Sequence, residues 1–167
     1  MLNGSVIKLA ENNDGQKVVH FLKRVAKWLK GNGINQWRFL LSGGDDDEIL
    51  EAVKRNETYI VMDGDELVAT FTLSGDQSEW DIHIFGEEAA HDSLYLHRFA
   101  IAPELIGRGL GRELLAWIEK SIYTEKSFLK LDCVSNNSKL NQFYLDYGFD
   151  YIGETDHHNK YQKKICR

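Results

Sequence analysis

The sequence predicts a single domain of the mixed α/β class, spanning residues 1–167. Three observations lead to this class: apolar runs rich in strand formers, amphipathic segments with a helical period, and their order along the chain. The order is strand, two helices, several strands, helix, strand, helix and two strands. A chain of 167 residues with 43% hydrophobic residues is long enough to bury a core of this kind.

The N-terminal part predicts one strand and two helices. SVIKLA is a short strand, and a helix follows from Gln16 until Gly31 stops it. Asp45, followed three residues later by Glu48, resembles a capping box and predicts a second helix to about Arg55. The apolar face of the first helix consists of Val18, Phe21, Leu22, Val25 and Leu29.

The middle of the chain predicts a hairpin, a loop and a strand. TYIVM and ELVATFTL flank DGDE, which is typical of two strands joined by an Asp-Gly turn. Residues 75–93 are polar and aromatic without a clear period, so we expect a loop with a short strand near Ile82. SLYLHRFAI predicts a strand that ends at Pro103.

The C-terminal part predicts two helices and three strands. A helix follows the glycine-rich loop and runs to about Tyr123, and FLKLDCV is the next strand. NNSKLNQFYLDYG predicts a short helix capped by Asn137 and stopped by Gly148. FDYIGET and KYQKKIC predict the last two strands.

Composition excludes several classes of protein. A formal net charge of −6 argues against a nucleic-acid surface, and no apolar window is long enough to span a membrane. The segment MLNGSVIKLAENNDG lacks the basic-then-apolar layout of a signal peptide. Cys133 and Cys166 lie far apart and suggest no disulfide framework, so we expect a protein of the reducing cytoplasm.

Three glycines alternate at the start of a helix in IAPELIGRGLGRELLAWIEK. Glycine has a high cost in backbone entropy on folding, so a function should explain Gly107, Gly109 and Gly111. A glycine loop at a helix N-terminus lets a phosphate approach the free N–H groups. A Walker loop is excluded because the lysine and hydroxyl residues are missing. A dinucleotide fingerprint is excluded because Arg112 or Leu114 stands where its last glycine belongs.

LHRFAIAPELIGRGLGRELL resembles the acyl-CoA binding motif of the GNAT acetyltransferase superfamily. LDCVSNNSKLNQFYLDYGFDYIGE resembles the second half of that family's pattern, so the resemblance covers Leu94 to Glu154, and VAKWLKGNGINQW also resembles bacterial members. Ile106 departs from the motif, which has Arg or Gln at this position.

The resemblance implies a single mixed, mostly antiparallel sheet that is flanked by helices and splayed at the acyl-CoA site. It implies transfer of an acetyl group from acetyl-CoA to an amine by direct attack, without a metal. An alternative of another class is a non-catalytic acyl-CoA binding or sensing domain on the same fold.

The resemblance also implies which residues bind acetyl-CoA. The backbone of the glycine loop would bind the pyrophosphate, and the end of the preceding strand would pair with the pantetheine arm. Core packing is the other interpretation of Phe99 and Ile101. The implied residues are Phe99, Ala100, Ile101, Ile106, Gly107, Arg108, Gly109, Leu110, Gly111, Arg112, Asn137 and Tyr144.

The resemblance further implies a role for two residues near the C-terminus. The Asn137 side chain would touch the CoA arm, although a helix N-cap explains it equally well. Tyr144 would pass beside the sulfur, and its hydroxyl would protonate the departing thiolate. A core tyrosine is the other interpretation of Tyr144.

A general base is needed because an alkylamine with a pKa of about 10.4 is mostly protonated near neutrality. His97 is the best single candidate, since it lies on the central strand and titrates in the right range, although a structural histidine fits as well. Glu79, Asp81, Asp132 and a chain of ordered water are alternatives. His157 and His158 lack a third ligand nearby, so we expect no metal site there.

The acceptor cannot be identified from the sequence beyond a small-molecule or peptide amine, and a homodimer is compatible with it. The predicted loop from Gly75 to Ser93 carries carboxylates and a tryptophan that suit a cationic amine, although a solvated loop would have the same composition. These residues are Asp76, Glu79, Trp80, Asp81, Glu87 and Glu88.

Overall fold

The computed structural model describes residues 4–165. The strands are β1 Ser5–Leu9, β2 Thr58–Asp63, β3 Glu66–Ser74, β4 Ser93–Ile101, β5 Phe128–Val134, β6 Asp150–Thr155 and β7 His158–Lys164. The helices are α1 Gly15–Gly31, α2 Asp46–Lys54, α3 Glu79–Phe85, α4 Leu110–Ser121 and α5 Ser138–Tyr147. Short 3-10 turns lie at Asn12–Asp14, Arg38–Ser42 and Pro103–Leu105. Within residues 4–165, no helix combines the length and the apolarity needed to cross a membrane.

The seven strands form one sheet in the order β1-β2-β3-β4-β5-β7-β6. The pairs β1–β2, β2–β3, β5–β7 and β6–β7 are antiparallel, whereas β4 and β5 pair in parallel. The parallel pairing joins only Ser93–Tyr95 to Phe128–Lys130. The prediction of a mixed, mostly antiparallel sheet is therefore confirmed, and the short parallel pairing fits a splayed sheet.

The chain divides into two compact units according to its internal contacts. The first comprises the chain through Thr72 together with Arg98–Trp117. The second comprises Leu73–His97 together with the chain from Ile118 onward. The single domain over residues 1–167 stays a prediction.

Helix α1 supplies much of the core of the first unit. Val18, Leu22 and Val25 follow the i, i+4, i+7 spacing of one helix face, and each is at most 5% exposed. They share a buried cluster with Ile49 of α2 and Ile60 of β2. Full burial of such a side chain contributes about 1.5–3 kcal/mol, so the amphipathic pattern in the sequence determines where α1 packs.

The predicted hairpin is confirmed as β2 and β3. Asp63 pairs with Glu66, which leaves a two-residue turn of Gly64 and Asp65. Gly64 has a φ of +63°, a conformation that two-residue hairpin turns require and that glycine adopts without strain.

The predicted capping box of α2 is wrong. Asp45 stands at the N-cap, but its side chain makes no capping hydrogen bond. The carboxylate instead accepts from the Arg98 guanidinium, with 3.4 Å between Oδ2 and Nη1. Arg98 is largely buried, and burial lowers its pKa. A buried cation is stabilised by a nearby carboxylate, so Asp45 pairs with Arg98 instead of capping α2.

The predicted loop over residues 75–93 is wrong in part, because the second unit contains helix α3 where a strand near Ile82 was expected. Ser78 caps the helix: its Oγ accepts from the Asp81 N–H at 3.1 Å, and Asp81 Oδ2 accepts from the Ser78 N–H at 2.9 Å. Seven residues are too few for a helical period to be evident, whereas this reciprocal cap suffices to start the helix.

Candidate functional site

The glycine loop lies in the first unit, after the 3-10 turn at Pro103–Leu105. Gly107 and Gly109 each have a φ of +83°, which side chains of L-residues rarely adopt. In the first turn of α4, the Glu113 N–H donates to the Gly109 carbonyl at 3.2 Å. The N–H groups of Leu110 and Gly111 therefore precede the helical ladder, at the positive end of the helix dipole.

The backbone at Gly107 and Gly109 has open space beside it. A Cβ placed on Gly107 or Gly109 would meet no other heavy atom within 4 Å, so protein packing does not explain the missing side chains. Arg108 and Arg112 are exposed, and Ile106 is 50% exposed. The loop thus combines open backbone, a helix N-terminus and cationic side chains, which together suit an anionic ligand.

The end of β4 is held by core packing in the first unit. The Phe99 ring lies 6.3 Å from the Phe71 ring, which in turn stacks on Tyr59 at 5.1 Å. Ala100 is buried, and Ile101 is half-buried. The core interpretation of the Phe99 side chain is therefore supported, while a backbone role of Phe99 to Ile101 stays a prediction.

Asn137 caps α5 in the second unit, as one of the two interpretations expects. Its Oδ1 accepts from the Leu140 N–H at 3.2 Å, and Gly148 ends the helix with a φ of +114°. The contact of Asn137 with a CoA arm stays a prediction.

Tyr144 lies on α5 and is 4% exposed. Its ring contacts those of Phe149 and Tyr161, with centroids 5.6 and 5.8 Å apart. Burial raises the pKa of the Tyr144 hydroxyl well above its usual range, so the phenol keeps its proton at any physiological pH. The Tyr144 ring thus packs in the core, and the Tyr144 hydroxyl keeps a proton that it can donate.

His97 meets a buried carboxylate within the second unit. Its Nε2 lies 3.0 Å from Asp81 Oδ2, and the side chains are 17% and 0% exposed. Both residues were candidates for the general base in the sequence. The structure brings them together as a hydrogen-bonded pair.

Asp132 of β5 lies near the same pair. Burial raises its pKa, while a hydrogen bond from Trp80 and the positive charge available at His97 and His158 oppose the rise. Trp80 Nε1 donates to Asp132 Oδ2 at 3.1 Å, and the Trp80 ring meets that of His158 edge-on at 4.9 Å. Three of the sequence candidates, Asp81, Asp132 and Trp80, are therefore neighbours in this unit.

The other candidates of this segment have different surroundings. Glu79, Asp76 and Glu87 are exposed. Glu88 pairs with Lys130 and accepts a hydrogen bond from the Tyr95 hydroxyl. Within residues 4–165, no group of three or more His, Cys, Asp or Glu side chains is arranged to hold a metal ion.

Comparison with protein families decides the classification. A model described as the acetyltransferase (GNAT) family matches residues 23–149, which include the second half of α1, all of β4, the glycine loop and α5. The chain belongs to the GNAT acetyltransferase family. This GNAT protein therefore has the fold and the family that its sequence motifs indicate.

Individual GNAT proteins resemble this chain over nearly its whole length. The uncharacterised N-acetyltransferase YesJ of Bacillus subtilis is 33% identical over 154 residues, 91% of this chain and 86% of that protein. The S-(2-succino)cysteine N-acetyltransferase of Bacillus subtilis is 25% identical over 167 residues, 96% of this chain and 95% of that protein.

Solved structures of GNAT proteins are similar as well. One from Listeria monocytogenes has a TM-score of 0.82 and 29% identity, and covers 96% of this chain and 95% of its own. The PaiA N-acetyltransferase of Thermoplasma acidophilum, in complex with coenzyme A, has a TM-score of 0.76 and 17% identity, covering 96% and 99%. At this identity the PaiA likeness shows the shared fold.

Sequence reasoning missed the contact that organises the carboxylates of this GNAT protein. Asp81 was an isolated candidate, and its pairing with His97 depends on a helix that was not predicted. The signal that could have found the helix is SEWD, since Ser78 and Asp81 have the spacing of a capping box.

Cys133 should be inert in the native protein. Burial, aided by the charge of Asp132, raises the pKa of the Cys133 thiol to about 12, so thiolate is scarce near neutrality. We expect iodoacetamide at pH 8 to label Cys133 about 10³-fold more slowly than a free thiol. Peptide mapping by mass spectrometry, with guanidinium-unfolded protein as the control, measures this rate. Cys166 lies outside the described residues and is read from a separate peptide. Rapid native labelling of Cys133 would contradict the expectation.

Proposed function

We propose that this GNAT protein is a cytoplasmic enzyme that transfers an acetyl group from acetyl-CoA to a primary amine of a small molecule or peptide by direct attack. The observation that carries the proposal is the open backbone at Gly107 and Gly109, beside the N-terminus of α4. Family membership supplies the reaction class. The protonated Cys133 supports direct attack, because a buried thiol of high pKa is a poor acceptor for a covalent acetyl group.

Acetyl-CoA supplies the activated acetyl thioester. The glycine loop from Ile106 to Arg112 binds its pyrophosphate through backbone N–H groups, with Arg108 and Arg112 as nearby cations. Most of these contacts come from the backbone, so an isoleucine at position 106 is tolerated. The backbone of Phe99, Ala100 and Ile101 pairs with the amide groups of the pantetheine arm, and the Asn137 side chain adds a polar contact.

His97 acts as the general base in this proposal. At neutral pH roughly one alkylamine in a thousand is unprotonated, given a pKa of about 10.4. Only the neutral amine has the lone pair that attacks the carbonyl carbon. A positioned imidazole that takes the proton therefore raises the concentration of the nucleophile where it is needed.

Tyr144 acts as the general acid. The carbon–sulfur bond breaks as the carbon–nitrogen bond forms, and the leaving thiolate needs a proton. Burial keeps the Tyr144 hydroxyl protonated, so it is available as a donor. Donation leaves a phenolate that the buried site disfavours, so Tyr144 regains a proton from the nitrogen, which loses its second proton as the amide forms.

The acceptor is bound as a cation before it loses its proton. Asp132 receives a hydrogen bond from Trp80, and a partly exposed tryptophan beside a carboxylate suits an ammonium group. The relative that acetylates S-(2-succino)cysteine suggests amino-acid derivatives as one class of acceptor to be tested.

A turnover screen tests the proposed function. Putrescine, spermidine, lysine, S-(2-succino)cysteine and a tripeptide are each incubated with acetyl-CoA, and released thiol and acetylated product are both quantified. We expect at least one acceptor to release thiol in step with product. Acetyl-CoA at about 100 times its Kd should also stabilise the fold by about 2.7 kcal/mol. Stabilisation without turnover of any amine would favour the non-catalytic acyl-CoA binding domain.

Replacing Gly109 should weaken CoA binding specifically. Gly109→Ala introduces a Cβ into the open face of the loop, and we expect the Kd of CoA to rise about tenfold or more. Gly64→Ala is the matched control, since Gly64 also has a positive φ and open space around it. Both variants should lose about 1–2 kcal/mol of stability. Equal CoA affinity in the two variants, measured by calorimetry, would make the loop purely structural.

Replacing Tyr144 should slow turnover without weakening CoA binding. Tyr144→Phe keeps the buried ring and removes the hydroxyl, so kcat should fall by about 10²–10⁴-fold while the Kd of acetyl-CoA changes little. Tyr161→Phe is the control, because it removes a buried hydroxyl that donates to Asn141 at 2.6 Å. That variant should lose about 1–3 kcal/mol of stability and retain turnover. Wild-type turnover in Tyr144→Phe would remove Tyr144 from the mechanism.

A further inference from the structure

One oxygen of the Asp81 carboxylate accepts two hydrogen bonds from Ser78 and also contacts His97. Oδ2 lies 2.9 Å from the Ser78 N–H, 3.0 Å from the Ser78 hydroxyl and 3.0 Å from His97 Nε2. Ser78 Oγ accepts from the Asp81 N–H, which leaves its own proton to donate to Oδ2. The other oxygen, Oδ1, is buried and has no hydrogen-bond partner among residues 4–165. Two donors from Ser78 on the oxygen that also contacts His97 are the surroundings of an ionised carboxylate.

This arrangement determines which nitrogen of His97 carries the proton. An ionised carboxylate can only accept, so His97 Nε2 must donate to it. In a neutral imidazole the other nitrogen, Nδ1, then carries the lone pair. His97 is 17% exposed, so a proton taken up at this ring can later pass to solvent.

We propose that Asp81 is a positioning residue that holds His97 in the Nε2–H tautomer and thereby makes Nδ1 the atom that takes the proton from the acceptor amine. This inference rests on the proposed function. Nδ1 takes one proton from the ammonium group, and the freed lone pair forms the bond to the acetyl carbon. The carbon–sulfur bond then breaks and Tyr144 protonates the thiolate. The second proton, which the nitrogen loses as the amide forms, restores the Tyr144 hydroxyl, and the proton on His97 leaves to solvent.

Titratable groups from three elements lie around His97. Asp81 faces it from α3, and Asp132 interacts with it from β5. His158 of β7 contacts the Trp80 ring and interacts with Asp132. In general, an anion hydrogen-bonded to an imidazole stabilises the imidazolium that forms when the ring takes up a proton.

The same oxygen also caps α3. Asp81 occupies the third position of the helix, and its carboxylate accepts from the Ser78 backbone as the capping box requires. A purely structural role for Asp81 would therefore consist of this cap alone. The contact with His97 adds nothing to the helix end, so the two roles can be separated by substitution.

Asp81→Asn tests the proposal, because it keeps the shape and an acceptor for the Ser78 N–H but removes the charge. With the best acceptor of the turnover screen, we expect kcat/KM to fall by about 10–10²-fold. Loss of the anion disfavours the imidazolium, so the ascending limb of the pH profile of kcat/KM should move to lower pH by about one unit.

Ser78→Ala is the matched control, because it removes a donor to the same oxygen and weakens the cap while leaving the Asp81 charge in place. It should lower the melting temperature and leave the pH profile unchanged. Equal losses of activity in Ser78→Ala and Asp81→Asn, with unmoved pH profiles, would overturn the proposal in favour of a structural cap.

A double-mutant cycle shows whether Asp81 acts through His97. His97→Gln alone should lose about 10²–10⁴-fold in kcat/KM. Adding Asp81→Asn to it should cost no further activity, because the residue to be positioned is gone. Losses that multiply in the double variant would overturn the proposal.

Nitrogen NMR of the histidine rings gives a readout that needs no substrate. The His97 signals, assigned by their loss in His97→Gln, should show a protonated Nε2 and an unprotonated Nδ1 in the wild type at high pH. A protonated Nδ1 would overturn the proposal whatever the activity. Failure to acetylate any amine would instead reject the proposed function, with the tautomer still measured.

Discussion

A carboxylate removed from water must be met by donors, and Asp81 is the group in the second unit where this requirement has the widest consequences. Its side chain is 0% exposed; Oδ2 accepts from the N–H of the helix cap and lies 3.0 Å from Nε2 of a histidine on the central strand. An unpaired buried charge costs several kcal/mol of folding free energy. The helix cap and His97 both contact Oδ2 of Asp81, so this oxygen connects them.

The α3 segment is fastened to one face of β5. Lys130 and Asp132 are two residues apart, so their side chains leave the strand on the same side. Lys130 pairs with Glu88, and Asp132 accepts from Trp80. The opposite face carries Leu131 and Cys133, both buried. One strand thus separates an apolar side from a polar side on which the candidate base and its neighbours lie.

The sequence predicts the parts of this molecule that repeat a simple pattern. Helix α1 has about five turns, and Val18, Leu22 and Val25 lie on one face of it. The Asp-Gly turn predicts the hairpin of β2 and β3. Helix α3 has two turns and no recognisable hydrophobic period, so the sequence predicts a loop there. Asp45 was assigned to the wrong partner because Arg98 is distant in sequence and adjacent only in the folded chain. The candidates His97, Asp81 and Asp132 are visible in the sequence, whereas their convergence requires the fold.

The cap of α3 links the local stability of a short segment to the chemistry assigned to His97. A seven-residue helix has little stability of its own, so it exists because its cap and its buried face are satisfied. Segments of this kind open at a smaller free-energy cost than the strands beneath them. Each opening would release Asp81 from His97 while the sheet stays intact. On heating, activity would then be lost at a lower temperature than the fold. The temperature dependence of activity would reflect the melting of two helical turns rather than of the whole protein.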